Sequence, residues 1–232
     1  MPNLQILFNG NPIKIIPIST QTKAKANAKV ILPQSPSPYP IDFLTSQKVN
    51  DEVRGYLIYN GAGWDFSLIQ KNNIINITKK KTIKRIALIL ESPHKLEYDH
   101  SSSPPSPIKP AQGSTGARIN KYITHYCTGW GLCSKYVYEV NLMNAIQYQT
   151  SCYNELILHN PSYEMCHPLR NRVFKLLWKS KANNLITRIT KYKPDVIVNA
   201  CTGGKAKYGL RNLVDSSITA PHFIENHPST WK

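Results

Sequence analysis

Acidic residues are scarce: 13 Asp and Glu stand against 29 Lys and Arg in 232 residues, a formal net charge of +16. A surface so unbalanced repels itself unless a polyanion neutralises it, which points to nucleic acid first and to an anionic membrane surface second. Long hydrophobic runs are also missing. Stretches such as Ile86-Ala87-Leu88-Ile89-Leu90 are about one strand long, whereas roughly 20 apolar residues are needed to span a bilayer, so no membrane partner is expected. Residues 3–12 break their apolar character with Asn, Gly and Pro before a signal-peptide core can form, and a cytoplasmic location is expected. Cysteine provides no framework either. Cys127, Cys133, Cys152, Cys166 and Cys201 are odd in number and share no short spacing, which argues against a disulfide scaffold and a CxxC zinc site.

The length fits one main α/β domain with a substantial core. Residues 1–80 read as an N-terminal extension. Two short strands flank the turn Asn9-Gly10-Asn11-Pro12, and four prolines within residues 33–40 exclude helix and central strand there, leaving a connector. Residues 81–232 carry the recurring order strand, loop, helix, strand. The run from Ile86 to Leu90 has the continuous apolar pattern of a strand buried on both faces of a parallel sheet. A helix is expected near Thr115, and Tyr136-Val137-Tyr138-Glu139-Val140 reads as a strand that delivers Asn141 at its carboxyl end. Val173, Leu176 and Leu177, then Leu185, Ile186 and Ile189, have helical spacing. Val196-Ile197-Val198 and residues 221–224 complete the strands. The expected fold is a three-layer αβα sandwich around a mainly parallel sheet of about four strands, with an N-terminal β extension. Ligands of such sheets sit off the carboxyl ends of the strands, a rule that gathers Glu91, Asn141, Thr202 and His227 at one edge.

At those positions the chain resembles the uracil-DNA glycosylase superfamily, and within it the family 4 enzymes. Ile89-Leu90-Glu91-Ser92-Pro93-His94 is similar to a strand ending in Gly-Glu-Ala-Pro-Gly, with Leu90 and His94 in place of the glycines. Val140-Asn141-Leu142-Met143-Asn144 resembles the strand whose Asn reads the base. Val196-Ile197-Val198-Asn199-Ala200 followed by Thr202 and Lys205 resembles a later strand-to-helix turn, and His227-Pro228-Ser229 matches the closing motif.

The resemblance implies a monofunctional DNA glycosylase that flips out uracil or a modified base and hydrolyses its N-glycosidic bond without metal or cofactor. Its expected role is DNA repair or, where the base is a phage-type hypermodified one, anti-phage defence. Breaking that bond builds positive charge on the sugar and negative charge on the base. Glu91 is expected to stabilise the sugar and position water, and His227 to donate to the base. Asn141, with an amide donor and acceptor, is the expected base reader, in a pocket formed with Ser92, Pro93 and His94. Gly113, Ser114, Thr115, Thr202 and Ser229 are expected around phosphates, with Arg118 and Lys205 as charged contacts. Lys79-Lys80-Lys81, Lys84, Arg85, Arg170, Arg172 and Lys207 are further basic candidates.

The departures from the family matter as much. Its iron–sulfur cysteine spacing is not reproduced, and no aromatic residue stands in Ala111-Gln112-Gly113-Ser114-Thr115-Gly116 where relatives stack a ring on uracil. The pocket is therefore either completed by another ring, such as Tyr98, or shaped for a different base. No lysine occupies a nucleophile position in the motifs, although Lys95 leaves a lyase step open. Trp231 is either an intercalating wedge or a packing residue. A monomer is expected. The alternative function is a non-catalytic nucleic-acid-binding module on the same fold.

Overall fold

The computed structural model describes residues 5–8, 11–14, 47–68, 82–99, 101, 106–150, 163–203 and 210–232. The Pro-rich connector, Lys79-Lys80-Lys81, Cys152, Lys205 and Lys207 lie outside them, as do the side chains of Lys95, Cys166, Arg170 and Arg172. Strands β1 (Gln5–Phe8) and β2 (Asn11–Lys14) pair antiparallel in a small separate sheet. The main body follows as β3 (Glu52–Tyr59), β4 (Trp64–Leu68), β5 (Ile83–Leu90), a short β6–β7 ladder (Tyr98–Asp99 with Ser106–Pro107), α1 (Ser114–Tyr126), β8 (Val137–Asn144), α2 (Tyr163–Tyr192), β9 (Val196–Asn199), α3 (Arg211–Asp215) and β10 (Phe223–Ile224).

The protein is α/β, with a six-stranded mixed sheet in the order β10-β9-β5-β8-β3-β4. Four strands, β10, β9, β5 and β8, are parallel; β3 and β4 are antiparallel additions on the β8 side. The parallel four are those expected from residues 81–232. The other two correct the expected strand number and the boundary at residue 80, because the hairpin of residues 52–68 pairs directly with β8 and belongs to the same sheet.

The apolar run of β5 divides cleanly between two cores, which is why it reads as continuous rather than alternating. Ile86, Leu88 and Leu90 pack with Tyr138, Val140, Leu142 and Val198 under Ile119 and Ile123 of α1. Ala87 and Ile89 pack with Met143 and Ile197 under Phe174, Leu177, Leu185 and Ile189 of α2 and Val214 of α3. Helices therefore cover both faces, giving three layers. Among the described residues no helix is long and apolar enough to cross a membrane.

At the amino ends of the parallel strands the charges are spent internally. Lys84 pairs with Asp195 at 3.0 Å, and the Arg85 guanidinium donates to the Tyr192 carbonyl at 3.0 Å. Glu139 accepts from the hydroxyls of Tyr56 and Tyr192. Lys84 and Arg85, candidate phosphate contacts, stand six and five positions before Leu90 on β5, about 15–20 Å from the carboxyl edge, with partners of their own.

Candidate functional site

The carboxyl edge is set by strand register. Leu90 of β5 stands opposite Asn144 of β8, and Ile89 opposite Asn199 of β9, which in turn faces Ile224 of β10. Glu91 therefore emerges directly from β5. Thr202 follows the end of β9, and His227 follows β10, so three of the expected residues converge on one edge. Two strand spacings, about 10 Å, separate β5 from β10.

Glu91 is buried, and its backbone carbonyl accepts from the N–H of Ile146 at 3.1 Å as the chain leaves β8. The loop that follows is shaped by a capping box around a one-turn 3-10 helix, Lys95–Glu97. His94 Nδ1 accepts from the Leu96 N–H at 3.3 Å, while the Glu97 carboxylate reaches back to the His94 N–H at 3.2 Å. With Nδ1 accepting, the neutral ring of His94 carries its proton on Nε2. Ser92 shares a hydroxyl hydrogen bond of 2.6 Å with Thr150, and Pro93 is buried. Ser92, Pro93 and His94 thus lie at the edge, with Ser92 and His94 also fixing their own loop.

Glu97 is the principal residue that sequence reasoning missed. It is buried, it receives the Asn144 side-chain amide at 3.2 Å, and it also accepts from the Ala111 N–H. One carboxyl thereby ties the β5 loop, the end of β8 and the approach to α1. Ala111 adopts a positive φ of 55°, which non-glycine residues rarely do. Gly116 makes that approach possible, since a Cβ there would stand 1.7 Å from the Ala111 carbonyl oxygen. Gly116→Ala must displace the Ala111 loop and is expected to cost about 1–3 kcal/mol, read as a lower urea midpoint.

Burial pushes Glu97 up to about 7 from 4.5, against its three N–H donors, which favour the carboxylate. The folded protein holds the proton more tightly than the unfolded chain. This contribution is complete below pH 4.5 and is lost as pH rises toward 7, up to roughly 3 kcal/mol in all. The wild-type protein should therefore lose stability relative to Glu97→Gln across that window. Urea titrations of both proteins at pH 4.5, 6 and 7.5 check this; a difference independent of pH contradicts it.

Two expected base contacts are corrected. Asn141 is not at a strand end, because β8 continues to Asn144. It pairs with Ala87 and Val53 about 10 Å short of the edge, on the α2 face that Met143 also occupies. Asn144 holds the edge position instead, on the α1 face, with its Oδ1 buried and without a hydrogen-bond partner among the described residues. Buried Gln147, Gln149 and Thr150 continue this polar floor. Tyr98 is only 3 % exposed, and its hydroxyl donates to the Gln47 carbonyl at 3.2 Å, so the ring is a core side chain and offers no stacking face.

The terminal motif is built as a cap. His227 is the N-cap of a one-turn 3-10 helix, Pro228–Thr230, with proline at its first position. His227 Nδ1 receives the Ser229 N–H at 3.2 Å and lies 2.8 Å from Ser229 Oγ. The lone pair of Nδ1 is therefore engaged, and the proton of the neutral ring sits on Nε2. Trp231 is fully buried, stacks on Tyr126 with centroids 4.4 Å apart, and donates from Nε1 to the Asn226 carbonyl at 2.8 Å. It is a packing residue, which removes the wedge alternative. Arg118, half-buried, donates from its guanidinium to the Trp231 carbonyl at 2.7 Å and holds this turn against α1.

Gly113, Ser114 and Thr115 form the start of α1, beside the Ala111–Glu97 contact. No side chain caps this helix, and its first turn holds no acidic residue, so its N–H groups keep their positive potential. The Thr202 carbonyl accepts from the N–H groups of Leu210 and Arg211 and braces its own turn. Among the described residues no group of three or more His, Cys, Asp or Glu could hold a metal ion. Comparisons with protein families, with curated proteins and with solved structures yield no match.

Proposed function

We propose that the protein is a monofunctional DNA glycosylase acting at the carboxyl edge of its sheet. The observation that carries the reading is the convergence there of a buried carboxyl, Glu91, and an imidazole, His227, whose Nδ1 is engaged by Ser229 so that Nε2 bears the proton. As the bond between C1′ and the base nitrogen breaks, its electron pair stays on the base. The Nε2–H of His227 stabilises the charge that develops on a base oxygen, while Glu91 stabilises the sugar cation and accepts a proton from the water that bonds to C1′. The departing base anion takes up a proton from solvent, Glu91 gives up the proton it took from water, and the products are a free base and an abasic site. Asn144 takes the base-reading role first given to Asn141. Its Nδ2 is committed to Glu97, so its Oδ1 is the group offered to an N–H donor on the base edge.

Glycosidic chemistry is supported more strongly than any one base. Uracil and modified bases, including hypermodified phage bases, remain the substrate class, with repair or defence as the role. The charge of +16 fits DNA as partner. Incubation with duplex and single-stranded oligonucleotides carrying uracil, hypoxanthine or modified cytosines should create alkali-labile sites in at least one. DNA binding without such sites on any substrate would instead favour a catalytically silent binding module. Affinity should also fall steeply and log-linearly with salt, and a flat response would remove the polyanion argument.

A further inference from the structure

We propose that Leu96 and Ile108 form the wedge that enters the base stack of duplex DNA when a nucleotide leaves it. This inference rests on the base-extrusion reading above. Leu96 is 51 % exposed and Ile108 49 %, although Glu97 and Tyr98 after the first and Pro110 and Ala111 shortly after the second are buried. Their exposure is held in place by structure. The Ile108 N–H donates to the Glu97 carbonyl at 2.8 Å, and the Leu96 N–H to His94 Nδ1 at 3.3 Å. The β6–β7 pairing of Tyr98 with Pro107 locks the two segments side by side.

Leu96 also lies over the entry to α1, where a Cβ on Gly113 would stand 3.0 Å from its Cδ1. Two branched apolar side chains thus project from the backbone that holds Glu97, six residues beyond Glu91, and beside the uncapped start of α1. Trp231, the other candidate, is buried under Tyr126 and cannot serve. The occupant is argued from charge: a net charge of +16 favours a polyanion, and in duplex DNA the stacked bases are an apolar surface into which leucine and isoleucine insert as wedges.

The test uses a duplex with a tetrahydrofuran abasic site flanked by 2-aminopurine, whose fluorescence rises when the stack opens. The full-length wild-type protein should raise it severalfold. Leu96→Ser with Ile108→Ser should abolish the rise and weaken duplex binding roughly 5- to 100-fold, with single-strand binding and the unfolding midpoint unchanged. Ile83→Ser, equally apolar and 40 % exposed at the far end of β5, should behave as wild type. A full fluorescence rise in the double variant, or no rise with the wild type, overturns the wedge. Loss of the rise in the double variant, with no base released from any substrate, supports the wedge and sinks the glycosylase chemistry separately.

Discussion

Replacing Glu91 with Gln should lower the rate of base release about 10²- to 10⁴-fold, the range of a positioned acid–base group. The substitution keeps shape and hydrogen-bonding capacity in a buried position, so the unfolding midpoint should move little. His227 needs a subtler change. Alanine would delete both the Nε2 donor and the cap that receives the Ser229 N–H, and the lost cap alone costs about 1 kcal/mol. Asparagine is a strong N-cap and can still accept from Ser229, yet it presents nothing where Nε2 stood. His227→Asn should therefore stay folded and lose about 10²- to 10³-fold in rate, the worth of one donor to a developing anion. Groups that act on one bond are not additive, so the pair changed together should lose little more than Glu91→Gln alone. Single-turnover base release and urea unfolding of all three variants separate rate from stability.

Trp231→Ala should be the most damaging single change to stability, at about 3–5 kcal/mol. The ring is fully buried in the core formed by α1 and the sheet, and it stacks on Tyr126. Removing it also leaves the Asn226 carbonyl without its indole donor and loosens the Trp231 backbone to which Arg118 is bound. His227 sits between Asn226 and Trp231, so the variant should lose activity even at temperatures where it is folded. Trp231→Phe retains most of the burial and should cost about 1 kcal/mol for the missing hydrogen bond. Equal losses from the two substitutions, read from urea midpoints, would contradict the packing role.

Those residues also mark how far the sequence could be read. The parallel strands were legible because Ile86 to Leu90 and Val196 to Val198 are unbroken apolar runs, and helices on both faces demand such runs. The position of Glu91, Thr202 and His227 followed from the strand-end rule. The β3–β4 hairpin escaped notice because its residues, Glu52–Tyr59 and Trp64–Leu68, are mostly half-buried at the antiparallel side of the sheet and lack a strong period. Asn141 lies three residues short of the strand end, because Leu142 and Met143 carry no signal of where β8 stops. That offset crosses the sheet, because side chains an odd number of residues apart point to opposite faces. Glu97 had a signal in Glu91-Ser92-Pro93-His94-Lys95-Leu96-Glu97: a glutamate three residues after His94 completes a capping box. An N-cap histidine is unusual enough to hide it. The contacts of Arg118 and Trp231 depend on tertiary packing that local pattern does not encode.

The most direct test of the account is mass spectrometric detection of the free base released from DNA by the wild-type protein beside Glu91→Gln/His227→Asn. The expected result is a single base freed in equal amount to new abasic sites, with almost none from the double variant, although it binds the same DNA. Base released as fast by the double variant as by the wild type would contradict a site built on Glu91 and His227. DNA bound by the wild type with no base freed would contradict base excision itself.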